Sequence, residues 1–201
     1  ATNLSQNKSN IVAVLVEDLT NQYYLQILDS MSHEAKKQGR IISMFPVNEL
    51  EIDSVVENLI SNRVCAIINL ALFPFSQKYI KLLNQLNICT VNIGAEGDNR
   101  LHLDYESGMR EMFECLSQMN KKKLAYIAGM PRYLAEHDGR FKFYNKFVKE
   151  FGFYQSEDLI FFGEYPKKGG FEVGYELTNQ LLNTVPDINC IFCMNDIVAL
   201  G

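Results

Sequence analysis

The 201 residues include 19 Lys and Arg against 24 Asp and Glu, which gives a formal charge of −5, and 47% of them are hydrophobic. These values are ordinary for a soluble globular protein and give no reason to expect nucleic-acid contact by the chain itself. No apolar run approaches the ~20 residues that span a bilayer. The length suits one large domain or two small lobes.

The chain opens on a polar stretch, 1–10, that lacks the apolar segment of a signal peptide, so we interpret it as a linker or terminal remnant. An odd number of cysteines, mostly inside apolar runs, predicts buried free thiols and a cytoplasmic protein. These cysteines are Cys65, Cys89, Cys115, Cys190 and Cys193.

Apolar runs alternate with segments of helical periodicity along the first half of the chain. We predict strands at 11–16, 41–47, 64–72 and 88–93, and helices at 22–38, from 53, and at 76–86. Gly39 is predicted to close the first helix, and Asp53 to cap the second. The strands are apolar on both faces, which predicts a parallel sheet covered by helices.

A polar, glycine-bearing segment, 94–108, interrupts this alternation, which then restarts. We predict helices at 107–119, 139–151 and 170–183, and strands at 123–129, 158–163 and 189–194. The predicted architecture is α/β with two Rossmann-like lobes, an N-terminal lobe at 11–103 and a C-terminal lobe at 104–201. The last stretch, "NDIVALG", opens a helix without a stop signal, so we expect the second lobe to be incomplete at its C-terminal end.

Ligands of parallel α/β sheets bind beyond the carboxyl ends of the strands. We therefore expect a small-ligand site in a cleft lined by the strand ends of both lobes. The first candidate stretch is "DLTNQYYLQI", which places two tyrosines directly after the first strand.

Six motifs, in order, resemble the effector-binding domain of LacI/GalR-family transcription regulators over residues 11–201. They include "VAVLVEDLTNQYYLQILDSMSHEAKKQG", "SNRVCAIIN", "LHLDYESG", "KKKLAYIAGMP", "GRFKFYNKFVKEFGF" and "IFCMNDIVALG". The resemblance implies a type I periplasmic-binding-protein-like fold, a homodimer and a small-molecule effector. A sugar or sugar phosphate is the usual effector, and a purine is the alternative. The resemblance also implies that the protein binds DNA only through a headpiece, which these residues do not include.

Three positions depart from the family pattern. Gln22 stands where proline is usual, and Tyr144 stands where the arginine-x-x-glycine-phenylalanine motif has glycine. The strand that ends near Asn92 lacks the aspartate-arginine pair that commonly follows it.

The resemblance implies that Tyr23 stacks on the effector, because an aromatic plane packs well against a flat sugar or base. Adjacent residues at a helix start point in different directions, so we expect one of Tyr23 and Tyr24 to face the core. Asn21 has two readings, as a ligand contact and as an N-cap that bonds the backbone amide of Tyr23 or Tyr24.

Arg140 begins a second-lobe helix, where the helix dipole disfavours a cation, so it needs a partner. The resemblance implies that its planar fork of donors binds effector hydroxyls or a carboxylate. The alternative is a surface salt bridge to Asp138 or Glu136.

Four further residues lie at predicted strand ends, where polar and aromatic side chains meet ligands. We expect Asn195 to bind ligand while Asp196 partly caps the last helix, and Tyr165 and Phe73 to offer aromatic walls. The full predicted site comprises Asn21, Tyr23, Phe73, Arg140, Tyr165, Asn195 and Asp196.

The sequence shows no catalytic constellation, so we predict no enzyme activity, no cofactor and no metal. Cys190-x-x-Cys193 lies on a strand, where residues three apart point to opposite faces, and "PKKGG" lacks the spacing of a phosphate loop. A secreted sugar-binding transport or chemoreceptor protein of the same fold is the main alternative. An enzyme on this scaffold and a regulator with a protein effector are the others.

Overall fold

The structure is a computed structural model that describes residues 9–19, 21–93, 99–119 and 123–201. Most of the predicted linker, 1–10, and part of the polar, glycine-bearing segment, 94–108, lie outside the described residues. The chain divides into two compact units, unit 1 at Ala1–Leu103 and unit 2 at Asp104–Gly201.

Unit 1 alternates strands with helices, as the apolar runs predict. The order is β1 (Ile11–Val16), α1 (Gln22–Lys37), β2 (Ile41–Pro46), α2 (Ile52–Ser61), β3 (Ala66–Asn69), α3 (Gln77–Gln85) and β4 (Cys89–Asn92). The strands form a parallel sheet in the order β2-β1-β3-β4. Strand β3 is shorter than predicted and ends at Asn69, whose side chain bonds the backbone of the following loop.

Unit 2 repeats the alternation around a smaller sheet. Its elements are α4 (Glu106–Gln118), β5 (Leu124–Ile127), α5 (Arg132–Ala135), α6 (Gly139–Glu150), β6 (Ile160–Phe161), α7 (Gly170–Thr184), β7 (Cys190–Cys193) and α8 (Asp196–Leu200). The strands are parallel in the order β6-β5-β7. Several details differ from the prediction, and β5 and β6 end two residues earlier than predicted. Helix α5 was not expected, and a 3-10 turn, Glu157–Leu159, replaces the start of the predicted strand at 158–163.

The two cores have different compositions. A mostly aliphatic cluster fills the space between α1 and the sheet of unit 1, and it consists of Val14, Val16, Tyr24, Leu28 and Leu70. Stacked rings dominate the core of unit 2. Tyr126 on β5 lies between Phe141, Tyr144 and Phe192, with ring centroids 4.9–5.6 Å apart. Tyr144 therefore fills space that a glycine leaves open.

Helices α7 and α8 approach closely enough to exclude side chains between them. A Cβ on Gly174 would lie 2.1 Å from the carbonyl oxygen of Val198, and one on Gly170 would lie 2.9 Å from the side chain of Ile197. Gly174 therefore has no room for a side chain against the backbone of α8, whereas a side chain on Gly170 would have to displace Ile197. This close packing fixes α8, and with it the carboxyl end of β7.

Local predictions about helix ends were partly wrong. Asp53 does not cap α2: the N-cap is Glu51, and Asp53 lies in the first turn, where it accepts a hydrogen bond from the backbone N–H of Ser76. The helix begins earlier because Asn48 forms a turn before it, bonding the N–H groups of Leu50 and Glu51. Gly39 does follow the last turn of α1, with a φ of 66° that favours glycine.

All five cysteines are free, as predicted, but none is fully buried. Cys89 is exposed because it begins β4, the edge strand of its sheet, and Cys115 lies on the outer side of α4. Cys193 is half-buried, and this burial raises the pKa of its thiol. Among the residues that the structure describes, no cluster of His, Cys, Asp or Glu has the arrangement of a metal site.

Candidate functional site

Arg140 lies at the carboxyl end of β7, held by three side-chain hydrogen bonds. Its Nε and Nη2 donate to the two carboxylate oxygens of Asp138 at 2.9 and 2.6 Å. Its Nη1 donates to the backbone carbonyl of Met194 at 2.6 Å. The fork of the guanidinium therefore joins the start of α6 to the end of β7, 54 residues further along the chain.

Asp138 compensates for the unfavourable position of this cation. It is the N-cap of α6, and its Oδ1 accepts a second hydrogen bond from the backbone N–H of Arg140 at 2.8 Å. The side chains of Arg140 and Asp138 are only 20% and 6% exposed. The alternative prediction, a surface salt bridge of Arg140 to Asp138 or Glu136, is therefore correct about Asp138 as the partner. It is wrong about the location, because the pair is mostly buried.

Arg140 stays charged at any ordinary pH. Burial opposes the charge, but the hydrogen bonds and negative charge of Asp138 outweigh it and raise the pKa of the guanidinium above its usual value. An arginine has five N–H donors. Within the described part of the chain three are bonded, and one N–H on Nη1 and one on Nη2 have no protein acceptor.

Tyr105, which lies outside the predicted site, covers this arginine. The guanidinium carbon of Arg140 lies over the ring of Tyr105, 5.5 Å from its centroid. The ring also packs on Gly139, where a Cβ would lie 2.7 Å from Cδ2 of Tyr105. A glycine directly before an arginine at a helix start is the only signal in the sequence that points to such an approach.

Beneath the ion pair lies Tyr126, which is fully buried. Burial raises the pKa of its hydroxyl well above the usual value, and the charge of Asp138 acts in the same direction. Tyr126 stacks on Phe141, the residue after Arg140, and thereby supports the first turn of α6.

Asn195 and Asp196 divide their roles differently from the prediction. Asn195, not Asp196, is the N-cap of α8: its side-chain oxygen accepts a hydrogen bond from the backbone N–H of Val198 at 3.0 Å. Asp196 is exposed in the first turn. Asn195 follows Met194, the residue that holds Arg140, so the structure brings Asn195 and Arg140 to the same strand end.

Two predicted aromatic walls are core residues in the structure. Phe73 is 4% exposed and Tyr165 is 2% exposed, so neither offers an open ring face. The carbonyl of Phe73 accepts a hydrogen bond from the side chain of Asn69. Tyr165 lies against Gly170 at the start of α7. The sequence predicted that these two rings follow strands, but it did not predict the direction in which the rings point.

The strand end after β1 in unit 1 matches the expected local geometry. Asn21 is the N-cap of α1, accepting a hydrogen bond from the backbone N–H of Tyr23 at 3.0 Å. Tyr24 is in the core, and its hydroxyl donates to Glu17 at 2.5 Å, whereas Tyr23 is 47% exposed. The prediction that one of the two rings faces the core is confirmed.

Two buried asparagines end neighbouring strands of unit 1. Asn69 donates to the carbonyl of Phe73 at 2.9 Å and accepts from the N–H of Ala71 at 3.2 Å. It also lies 3.4 Å from the side-chain oxygen of Asn92, its partner in the parallel register. An asparagine closing each of two apolar runs is the sequence signal for this pair.

Comparisons with known proteins place this geometry in a family context. No known protein-family profile matches the chain. Catabolite control protein A of Staphylococcus xylosus is 26% identical over 207 residues, which cover 100% of this chain and 60% of that protein. The chain thus spans about three fifths of that relative's length. The chain is a homologue of LacI-family transcription regulators.

Solved structures of such regulators share the fold. A LacI-family transcriptional regulator from Silicibacter pomeroyi superposes with a TM-score of 0.77 at 19% identity, over 94% of this chain and 71% of that one. The transcriptional regulator CelR in complex with cellobiose superposes with a TM-score of 0.74 at 18% identity, over 96% of this chain and 61% of that one. The predicted periplasmic-binding-protein-like fold with two parallel sheets is confirmed.

Within the described ranges, no helix combines the length and apolarity that crossing a membrane requires.

Proposed function

We propose that this chain is the effector-binding part of a LacI/GalR-like transcription regulator and that its effector is a small uncharged sugar. The observation that supports the proposal is Arg140, whose anchored fork keeps two N–H donors at the carboxyl end of β7. Sugar hydroxyls accept hydrogen bonds from such a fork, and its fixed geometry reduces the entropy lost on binding.

The partner of Arg140 favours an uncharged ligand over a phosphorylated one. Asp138 supplies a full negative charge at 2.6 Å from Nη2, so the pair has little net charge. A phosphate would be attracted by Arg140 and repelled by the nearby carboxylate, whereas a hydroxyl needs only a donor. The complex of CelR with cellobiose supports a sugar in a protein of the same fold.

Other predicted contacts keep supporting roles in the proposal. Tyr23, with an exposed ring, is proposed to stack on a sugar face, with Asn21 holding the turn before it. Asn195 and Asp196 are proposed to supply polar groups near Arg140. The buried rings of Phe73 and Tyr165 are left out, because they have no open face.

For the whole protein we propose a cytoplasmic homodimer that contacts DNA through a part outside these 201 residues. A ligand shifts a conformational equilibrium only if it binds one state more tightly than the other. A sugar that bonds Arg140 in one state alone would therefore change DNA affinity through such a coupling, with a typical size of ~1–3 kcal/mol.

The test is a thermal-shift screen with D-glucose, D-ribose, cellobiose and glucose 6-phosphate. A sugar at about 100 times its Kd should stabilise the protein by ~2.7 kcal/mol, a readily measured shift. We expect an uncharged sugar to give the largest shift. Arg140→Lys should abolish that shift, because lysine keeps the charge without the planar fork.

Tyr23→Ala should weaken the sugar-induced shift, and Tyr175→Ala, which removes another exposed helical tyrosine, serves as its control. A shift with glucose 6-phosphate alone would contradict the uncharged-sugar proposal. A sugar shift that persists in Arg140→Lys would contradict the role of Arg140.

A further inference from the structure

Tyr105 contacts both the arginine of the proposed site and the backbone that carries it. Its half-buried ring has the guanidinium carbon of Arg140 over it, 5.5 Å from the centroid. The same ring packs on Gly139, the first residue of α6 and the neighbour of Arg140. The contact is thus tertiary, between residues 34 positions apart.

The ring supplies a restraint that the hydrogen bonds of Arg140 do not. Asp138 and the carbonyl of Met194 bond the edges of the guanidinium. Hydrogen bonds at the edges resist sliding within the plane more strongly than tilting out of it. An aromatic ring attracts the cation toward its face and occupies the space into which the group would tilt.

We propose that Tyr105 is the positioning residue of Arg140, which fixes the direction of its two available N–H groups and closes one face of the guanidinium to ligands. This inference rests on the proposed function of Arg140 as the effector contact. It makes Tyr105 a determinant of specificity, because a ligand must then reach the guanidinium from its uncovered side or along its edge.

Gly139 provides an independent way to disturb the same contact. A Cβ at this position would lie 2.7 Å from Cδ2 of Tyr105, which is closer than two carbon atoms approach. The φ of Gly139 does not require glycine, so Gly139→Ala should be tolerated by the backbone and displace the ring. Arg140 itself is unchanged in that variant.

The first experiment needs no effector. Protein labelled with 15N-arginine is examined by NMR, and the side-chain Nε–H signal of Arg140 is assigned through its loss in Arg140→Lys. Tyr105→Leu should shift this signal and accelerate its hydrogen exchange at least threefold, while Tyr105→Phe, which keeps a ring, should leave it near the wild-type position. Gly139→Ala should resemble Tyr105→Leu.

A double variant separates the proposed contact from general loosening. In a Tyr105→Leu background, Gly139→Ala has no ring to displace and should change the Arg140 signal no further. The proposal is overturned if Tyr105→Leu leaves the Arg140 signal and its exchange unchanged, or if Gly139→Ala acts equally with and without the ring.

The second experiment measures cellobiose and D-glucose affinity by calorimetry. Tyr105→Leu should weaken binding roughly fivefold and Tyr105→Phe less than twofold. Gly139→Ala, which displaces the ring and keeps Arg140, should weaken binding to a similar extent, and Tyr105→Leu should weaken it no further in that background. If neither sugar binds the wild-type protein, the proposed function fails for these sugars, and the NMR result still decides the role of Tyr105.

Discussion

The carboxyl ends of the strands are built from different chemistry in the two units. In unit 1, β3 and β4 end in neutral amides, and Asn69 directs its bonds to the backbone of its own loop and to Asn92. In unit 2 a charged pair, Arg140 and Asp138, comes from α6 to hold the end of β7. Both arrangements satisfy buried polar groups, but an arginine has more donors than its partners here require. A fork can therefore hold the strand end and still bind a ligand.

The supports beneath these strand ends differ as well. Aliphatic side chains packed against α1 support the sheet of unit 1, whereas stacked rings around Tyr126 support α6 in unit 2. Rings that stack at 4.9–5.6 Å fix orientation as well as distance, which suits a helix start that must aim a side chain.

The largest expected effect follows from breaking the charged pair. Asp138→Ala removes the N-cap of α6 and leaves the charge of Arg140 without its partner in a mostly buried place. We expect the free energy of unfolding to fall by roughly 3 kcal/mol or more, measured by urea denaturation. The free energy of unfolding should fall less in Asp138→Asn, because the amide oxygen still accepts the hydrogen bond from the backbone N–H of Arg140.

The control for this variant is Asp187→Ala, which removes a carboxylate that pairs with Lys123 on the surface. Exposed pairs contribute little to stability, so this variant should unfold near the wild-type midpoint. If Asp138→Ala and Asp187→Ala lowered the free energy of unfolding equally, the buried Arg140–Asp138 pair would contribute no more to stability than an exposed pair.

A smaller effect is expected at the amide strand end. Asn69→Ala leaves the carbonyl of Phe73 and the N–H of Ala71 without their side-chain partner in a buried loop, which should cost ~2 kcal/mol of stability. Asn84→Ala on the exposed side of α3 is the matched control.

Sugar affinity sharpens the comparison of the two strand ends. Asp138→Asn should weaken it, and a comparable loss in Asn69→Ala would show that unit 1 amides also position the ligand.

Sequence patterns predicted those features that depend on neighbouring residues. Apolar runs gave the strands, and the N-cap role of Asn21 follows from a short side chain two residues before the amide that it bonds. The position of Arg140 at a helix start could be predicted for the same reason. Its hydrogen bond to the carbonyl of Met194 could not be predicted, because the two residues are brought together only by the packing of α6 against the sheet.

The same distinction explains the errors. Either Asn195 or Asp196 is a suitable cap by residue type, and the actual start of α8 decides between them. Tyr165 and Phe73 follow strands in the sequence, but the direction of each ring is set by the packing of its loop. Tyr105 had no signal of its own, because its partner Gly139 lies 34 residues away and glycine serves many purposes.

The smallest expected effect tests the aromatic support of unit 2 and changes sign with pH. Tyr144 is buried, and its hydroxyl donates to the carbonyl of Leu124 at 2.8 Å, so Tyr144→Phe should lower stability by ~1 kcal/mol at pH 8. Burial also raises the pKa of Tyr144 above its ordinary value of 10. Above about pH 10 the unfolded chain therefore loses this proton while the native protein keeps it, and the stability that depends on the proton declines as pH rises.

This decline should be about 1.4 kcal/mol per pH unit for each such tyrosine, and phenylalanine does not titrate. The disadvantage of Tyr144→Phe should therefore shrink above pH 10 and reverse near pH 11, measured as urea midpoints from pH 8 to 11. A constant offset for Tyr144→Phe would mean that the ring is solvated in solution. The stacked rings around Tyr126 would then be too loose to fix the direction of Arg140.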